Sequence, residues 1–185
     1  LIIGNGGREN SLGWAIQKND LIKKIYLSPG NAGSEKIRKC MRINLDITYK
    51  KDLIKKLKYL DIDLIIIGPE IPLSEGLGDF LRKNNFDVFG PNQDGARLEY
   101  SKSWAKQFMK SANIPTSNFW RVDSFKEAQK VINNSREPLV VKADGLASGK
   151  GVFVPESKDE CLQATKTIFN GKFGKSGQIV VLEEK

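Results

Sequence analysis

The sequence predicts an α/β protein in which a parallel sheet is followed by an α+β segment. Short apolar runs alternate with helical patterns through the first hundred residues, and this alternation is typical of βαβ units. After Pro91 the pattern changes to a helix and then to a strand, helix, strand, strand, helix, strand series that ends at Lys185. Because ligands of open parallel sheets bind at the carboxyl ends of the strands, the glycine-rich motifs found there are candidate site residues.

Four apolar runs predict the strands of the first sheet, and a lysine-rich helix lies among them. The strands are expected near 1–3, 25–27, 64–67 and 88–89. The first run is short for a buried strand, so we expect residues to precede it. Leu53, Ile54, Leu57 and Leu60 recur at helical spacing, which predicts an amphipathic helix with its lysines on the solvated face.

The second half begins with a helix that holds Lys102, Trp104 and Phe108. Two later helices are expected to begin after Ser124 and Ser157, because each serine is followed three residues later by glutamate, the capping-box spacing.

A glycine-rich segment between two apolar runs is the most informative stretch of the chain. It reads Lys-Ala-Asp-Gly-Leu-Ala-Ser-Gly-Lys-Gly from Lys142 to Gly151. Glycine lets the backbone approach an anion closely, and lysine adds compact positive charge. Three glycines and two lysines are more than a hairpin turn needs, so we interpret the segment as a clamp for nucleotide phosphate, with a plain hairpin as the alternative. It is not a P-loop, because Gly151 follows Lys150 where that motif has serine or threonine.

Composition excludes several classes of function. The chain has 185 residues, 39% of them hydrophobic, a mean hydropathy of -0.38 and no histidine, so Ser-His-Asp hydrolysis and histidine metal sites are excluded. The formal charge of +8 is spread over helical lysines and does not form the basic and aromatic patch that would predict nucleic-acid binding. No apolar run reaches the length of a membrane span, and we expect a cytoplasmic protein.

The first glycine-rich motif, Gly4 to Glu9, follows the first strand and opens a helix. This arrangement also begins dinucleotide-binding folds, but Glu9 stands where the third glycine of that fingerprint would fall, so NAD binding is disfavoured. A helix amino terminus with free N–H groups, together with Arg8, is instead suited to a phosphate monoester.

These motifs together resemble a known family. The glycine-rich segment, Gly4 to Glu9, Ser28 to Gly33, Gly68 to Leu73 and Phe89 to Pro91 are similar in order and spacing to the phosphoribosylamine–glycine ligase family of ATP-grasp enzymes. The resemblance spans essentially the whole chain. It implies a Rossmann-like (pre-ATP-grasp) substrate-binding domain at 1–100 and the start of an ATP-grasp domain at 101–185, with the lid subdomain at about 116–185 and a truncated carboxyl end. Asn10 departs from the family, in which histidine is common at that position.

The resemblance also implies roles for individual residues. Lys150 is expected to act in catalysis. The expected ATP-binding residues are Lys102, Lys142, Gly145, Ser148, Gly149, Lys150, Gly151, Glu183, Glu184 and Lys185. The expected residues for phosphoribosylamine are Asn5, Gly6, Gly7, Arg8, Glu9, Pro29, Gly30, Asn31, Gly68, Pro69 and Glu70.

The implied reaction is ATP-dependent joining of glycine to 5-phosphoribosylamine through glycyl phosphate, in purine biosynthesis. The implied partners are therefore small molecules and not nucleic acid or a membrane. ATP and Mg²⁺ are expected, with the magnesium ligands beyond residue 185 and none in this segment, so we expect the segment alone to be inactive. Two alternatives are another ATP-grasp carboxylate–amine ligase and a non-catalytic nucleotide-binding module.

Overall fold

The computed structural model describes residues 1–147 and 149–185, with the backbone alone at Lys175. It divides the chain into two compact units, Leu1–Ala96 and Arg97–Lys185. Each unit has a sheet and a core of its own.

The first unit is a parallel sheet with helices between its strands, which confirms the predicted fold class. Its strands are β1 (Ile2–Gly4), β2 (Ile25–Pro29), β3 (Cys40–Arg42), β4 (Leu64–Ile67) and β5 (Asp87–Phe89). The helices are α1 (Gly7–Ile16), α2 (Lys50–Tyr59), α3 (Glu70–Ser74), α4 (Leu77–Lys83) and α5 (Gln93–Tyr100), the last of which runs into the second unit. The strand order is β3-β2-β1-β4-β5, and all pairs are parallel. The carboxyl ends of β2 and β4 therefore lie on either side of that of β1.

Burial in this unit follows the predicted patterns. Ile2 and Leu27 in the central strands are fully buried, and on α2 Leu53 and Leu57 are buried while the lysines are exposed. Strand β3 was not predicted from the sequence. It is a three-residue edge strand, Cys-Met-Arg, with two exposed residues, so it lacks the apolar run that marks a buried strand.

The second unit is an antiparallel sheet covered by two helices on one face. After α6 (Lys102–Ser111), the elements are β6 (Phe119–Val122), α7 (Phe125–Asn134), β7 (Val140–Ala143), β8 (Val152–Phe153), α8 (Lys158–Thr167) and β9 (Val180–Glu183). This order is the series that the sequence predicts, and the strand order is β6-β9-β7-β8. A π-helical segment and a 3₁₀ segment, Ile168–Lys172 and Gly174–Gly177, connect α8 to β9.

The predicted serine caps are present at α7 and α8. The hydroxyls of Ser124 and Ser157 accept hydrogen bonds from the backbone N–H groups of Glu127 and Glu160 at 3.3 and 3.2 Å. The two glutamates differ from a strict capping box, since each accepts from the N–H of the residue before the cap.

The two faces of this sheet have different roles. Alternate residues of β7 and β9, such as Val141 and Leu182, are fully buried in the core with α7 and α8. The side chains between them point to the opposite face, where Glu183 contacts both Lys142 of β7 and Lys106 of α6. This second face carries the charged groups that concern function.

Candidate functional site

The first group of predicted site residues meets at the carboxyl ends of β1, β2 and β4. Helix α1 begins at Gly7, and the N–H of Gly6 donates to the Glu9 carboxylate at 2.7 Å. Glu9 is only 3% exposed, and glycine is needed beside it, because a Cβ atom at Gly68 would lie 2.1 Å from Glu9 Oε1. The N–H of Gly6, the residue before the helix, is therefore already occupied by Glu9.

Arg8 lies between two carboxylates in what we term the arginine cluster, formed by Arg8, Glu9 and Glu70. Its Nε donates to Glu9 Oε1 and its Nη1 to Glu70 Oε1, both at 2.8 Å. These hydrogen bonds, first that with Glu70 and then that with Glu9, raise the pKa of Arg8. The hydrogen bond from Arg8 in turn lowers the pKa of Glu70. The Arg8 side chain remains 52% exposed, so it is fixed in direction and still accessible to a ligand.

Asn31 ties the loop after β2 to the loop after β1. Its Nδ2 donates to the carbonyl of Asn5 at 2.8 Å, and its Oδ1 accepts from Asn10 Nδ2 at 2.7 Å. Asn10 also accepts a hydrogen bond from Ser34 Oγ at 2.6 Å. Asn10 therefore ties helix α1 to the segment after β2, which contains the predicted substrate residue Asn31. Gly30 adopts φ +63° and donates its N–H to the carbonyl of Gly4 at 3.0 Å.

The glycine-rich loop, residues 144–151, connects β7 to β8 and has a closed base. The N–H of Ala143 donates to the carbonyl of Gly151 at 2.8 Å, and Ser176 Oγ donates to the carbonyl of Leu146 at 2.8 Å. Glycine is required at 145, because a Cβ atom there would lie 2.5 Å from Ser176 Oγ.

The tip of this loop faces solvent. Gly149, with φ +75°, and Lys150 are both exposed, while the N–H of Lys150 donates to the carbonyl of Ala147 at 2.9 Å. The predicted ATP-binding residue Ser148 lies outside the described residues.

Lys102 and Asp144 join the start of α6 to the start of the loop. Lys102 Nζ donates to the carbonyl of Gly145 at 3.1 Å. The Asp144 carboxylate accepts from the N–H of Ser103 at 2.5 Å and from Ser101 Oγ at 3.1 Å. Burial lowers the pKa of Lys102. The negative charge of Asp144 acts to raise this pKa, and the positive charge of Lys142 lowers it further. Lys102 is therefore held at the base of the loop by its contact with Gly145.

Lys142 is paired with a carboxylate within the protein. Its Nζ donates to Glu183 Oε2 at 2.5 Å, and Lys106 Nζ donates to Glu183 Oε1 at 2.5 Å. We term Lys106, Lys142 and Glu183 the lysine cluster. Burial acts to raise the pKa of Glu183, but the hydrogen bonds from Lys106 and Lys142 outweigh it and the pKa is lowered. The side chains of Lys106, Glu183 and Lys142 are 9%, 11% and 25% exposed.

Two further predicted ATP-binding residues, Glu184 and Lys185, follow Glu183 at the end of β9. Glu184 and Lys185 are exposed. The N–H of Glu184 donates to the carbonyl of Asn118 at 3.0 Å, and Asn118 Nδ2 donates to Glu184 Oε2 at 2.8 Å. The Glu183 carboxylate is engaged by Lys106 and Lys142.

The sequence analysis missed two residues of this region, Lys106 and Asp144. Lys106 follows Lys102 by four positions on α6, so the two side chains share one helix face. That spacing was the available signal. Asp144 gave none, because its contacts with Ser101 and Ser103 join segments 41 or more residues apart.

Within residues 1–147 and 149–185, no group of three or more histidine, cysteine, aspartate or glutamate side chains is arranged to hold a metal ion. The donor set of the described part therefore does not fit magnesium, since the buried carboxylate of Glu183 is already bound by lysines. No described helix is long and apolar enough to cross a membrane.

Comparisons with known proteins agree on one family. Residues 1–99 match the N domain of phosphoribosylglycinamide synthetase, and residues 100–185 match its ATP-grasp (A) domain. A phosphoribosylamine–glycine ligase of Mesorhizobium japonicum is 41% identical over 184 residues, which are 100% of this chain and 43% of that protein. A trifunctional purine biosynthetic protein of Chironomus tentans is 40% identical over all of this chain and 14% of its own length.

Solved structures give the same relationship. The crystal structure of phosphoribosylamine–glycine ligase from Thermotoga maritima superposes with a TM-score of 0.76 at 34% identity, over 100% of this chain and 43% of that one. A second structure is the biotin carboxylase domain of a Hydrogenobacter thermophilus 2-oxoglutarate carboxylase, solved with the magnesium salt of ADP. It has the same TM-score at 17% identity, over 100% of this chain and 43% of its own, and shares the fold. The chain spans less than half the length of the ligases that it matches, and it belongs to the phosphoribosylglycinamide synthetase family.

Proposed function

We propose that the complete natural protein joins glycine to 5-phosphoribosylamine, with ATP converted to ADP and phosphate. The observation that carries this proposal is the arrangement of the second unit, in which Lys102 contacts the glycine-rich loop at Gly145, Lys142 lies in the strand that leads into the loop, and Lys150 is exposed near its tip. Family membership supports the same conclusion.

ATP is proposed to bind in the second unit with its phosphates at the glycine-rich loop. Backbone N–H groups of a glycine-rich turn and nearby ammonium groups suit an anion with several acceptor oxygens. Lys150 is exposed at the loop and is the residue proposed to neutralise the transferring phosphoryl group. The proposed adenine contacts are the backbone at Glu184 and Lys185, of which the N–H of Glu184 is already used within the protein.

Phosphoribosylamine is proposed to bind at the arginine cluster and the loops around it. Arg8 uses two of its five N–H donors on Glu9 and Glu70, which leaves donors for a phosphate. Glu70 is 40% exposed and offers acceptors to ribose hydroxyls. The loops from Gly30 and Gly68 supply the remaining backbone contacts.

The chemistry proceeds in two steps. An oxygen of the glycine carboxylate attacks the γ-phosphorus of ATP, the bond to the bridging oxygen breaks, and ADP leaves. The amine of phosphoribosylamine then attacks the acyl carbon of glycyl phosphate, phosphate leaves with the bonding electrons, and the amine loses a proton. Phosphoryl transfer depends on positioning and charge neutralisation, so a chain without histidine is adequate. No step is assigned to magnesium through the described residues.

ADP release by the complete natural protein tests this function. We expect release only when ATP, magnesium, glycine and freshly prepared phosphoribosylamine are all present. Release without phosphoribosylamine would favour a ligase for another amine. ATP binding without glycine-dependent release would favour a non-catalytic nucleotide-binding module.

A lysine substitution tests the role given to the loop. Lys150→Ala should lower kcat by about 10²-fold or more, because a charge that acts on the transferring group is lost. Lys130→Ala, an exposed lysine on α7, is the matched control and should leave kcat unchanged. Equal kcat values for the two variants would remove Lys150 from the mechanism.

A further inference from the structure

The lysine cluster carries more positive than negative charge. Lys106 and Lys142 each contribute one positive charge, and Glu183 contributes one negative charge. The side chains of Lys106 and Glu183 are almost completely buried, at 9% and 11% exposed. A surplus positive charge in a buried cluster costs free energy unless an anion binds there and compensates it.

Lys106 has no donor left for a ligand among the contacts of the described residues. Its ammonium donates to Glu183 Oε1 at 2.5 Å, to Thr116 Oγ1 at 2.6 Å and to the carbonyl of Ser117 at 3.4 Å. A lysine ammonium has three donors, and all three are used. Lys142 is the more exposed lysine of the cluster, at 25%, so the surplus charge is accessible to a ligand at Lys142.

We propose that Lys106 is a positioning residue, which neutralises Glu183 from the buried side so that the charge of Lys142 remains available to a phosphate group. This inference rests on the proposed binding of ATP phosphates in the second unit. With Lys106 absent, Glu183 and Lys142 would form a neutral pair, and the attraction of Lys142 for phosphate would weaken. In the parent protein, Glu183 affects phosphate binding through Lys142, because its carboxylate holds the Lys142 ammonium in place.

A purely structural role predicts a different result. If Lys106 only fastens α6 to β9 through Glu183, its removal destabilises the protein, and the loss of Glu183 as well cannot restore ligand binding. If charge balance matters, neutralising both residues restores the single positive charge at Lys142. The two roles are therefore separated by the double variant.

The test compares ATP with adenosine, which lacks the phosphates, by titration calorimetry on the complete natural protein. Lys106→Met should weaken ATP binding about tenfold, since one nearby charge is lost from a partly exposed site, and should change adenosine binding less than about twofold. Lys106→Met combined with Glu183→Gln should recover most of the ATP affinity. Lys110→Met, an exposed lysine on the same helix, is the control and should bind both ligands as the parent protein does.

The outcomes separate this inference from the proposed function. Absence of ATP binding by the parent protein would overturn the proposed function. ATP binding by the parent with the same affinity in Lys106→Met, or a folded double variant that binds ATP no better than Lys106→Met, would overturn the positioning role. If Lys106→Met does not fold, Glu183→Gln provides the test. This variant has a surplus of two positive charges, which should tighten ATP binding relative to adenosine binding. An unchanged ratio of the ATP and adenosine affinities would overturn the proposal.

Discussion

The arginine cluster and the lysine cluster use the same kinds of groups in opposite arrangements. In the first unit one cation lies between two carboxylates, and Arg8 is 52% exposed. In the second unit one carboxylate lies between two cations, and Glu183 is 11% exposed. The difference teaches that the sign of the surplus charge and the degree of burial, rather than the presence of ion pairs, distinguish the two sites.

Burial determines how much each cluster contributes to the free energy of unfolding. Exposed ion pairs contribute about 0–1 kcal/mol because water already solvates their charges. A buried pair that loses one partner leaves a charge without compensation, which costs about 3–5 kcal/mol. The lysine cluster should therefore contribute more to stability than the exposed ion pair of Arg8 with Glu70, which should affect binding with little effect on stability.

The largest expected effect is that of Glu183→Ala. This change leaves two ammonium groups close together without their shared carboxylate, and we expect a loss of about 2–4 kcal/mol, less than the full range because Lys142 is a quarter exposed. Urea unfolding of the complete natural protein at pH 7 measures this loss. Glu184→Ala, at the exposed neighbouring residue, should lose less than about 1 kcal/mol. Equal losses of unfolding free energy in the two variants would mean that burial does not determine the contribution of the lysine cluster to stability.

The next effect concerns the buried member of the arginine cluster. Gly68→Ala places a Cβ atom 2.1 Å from Glu9 Oε1, so the carboxylate has to move from its hydrogen bonds, and we expect a loss of about 1–3 kcal/mol. Gly7→Ala is the control, because a Cβ atom there meets nothing within 4 Å. Thermal unfolding of both variants measures the difference. A stable Gly68→Ala variant would show that Glu9 is not held as the structure has it.

Acidification should weaken the lysine cluster. The pKa of Glu183 is lowered in the folded state by its two lysines, against the effect of burial. Its contribution to stability is therefore complete above the ordinary glutamate pKa of about 4.3 and is lost as the pH falls below that value towards the folded-state pKa. The difference in unfolding free energy between the parent protein and Glu183→Gln should accordingly narrow as the pH is lowered from 7 to 3. Parallel pH profiles would contradict the assignment of the charge to Glu183.

The fold was predictable because local patterns agree with the tertiary structure. Buried strands such as β4 are apolar runs, α2 has a clear apolar stripe, and Ser124 and Ser157 mark helix starts. Edge strand β3 was not predictable. It is held by its pairing with β2 and has two exposed residues, so its sequence lacks the apolar pattern that predicts a buried strand.

The candidate sites were only partly predictable. Glycine-rich motifs identify where a backbone approaches a ligand or a side chain, as at Gly68 and Gly145. The partners of charged groups are set by contacts between distant segments. Lys106 and Glu183 are separated by 77 positions, so the sequence indicated Lys142 as a cation without indicating which carboxylate it meets.

The smallest expected effect on stability is that of Arg8→Ala, and this variant defines the contrast with the lysine cluster. Its ion pair with Glu70 is exposed, whereas Glu9 is only 3% exposed and keeps the hydrogen bond from the N–H of Gly6, so we expect a loss of about 1 kcal/mol in urea unfolding. Binding should respond more strongly, with a KM for phosphoribosylamine raised about tenfold or more and kcat changed less, because a charged donor to phosphate is lost. Lys83→Ala, on α4 of the same unit, is the control for a lost positive charge. If Arg8→Ala were strongly destabilised with an unchanged KM, the arginine cluster would be a structural element, and burial would not explain the difference between the two clusters.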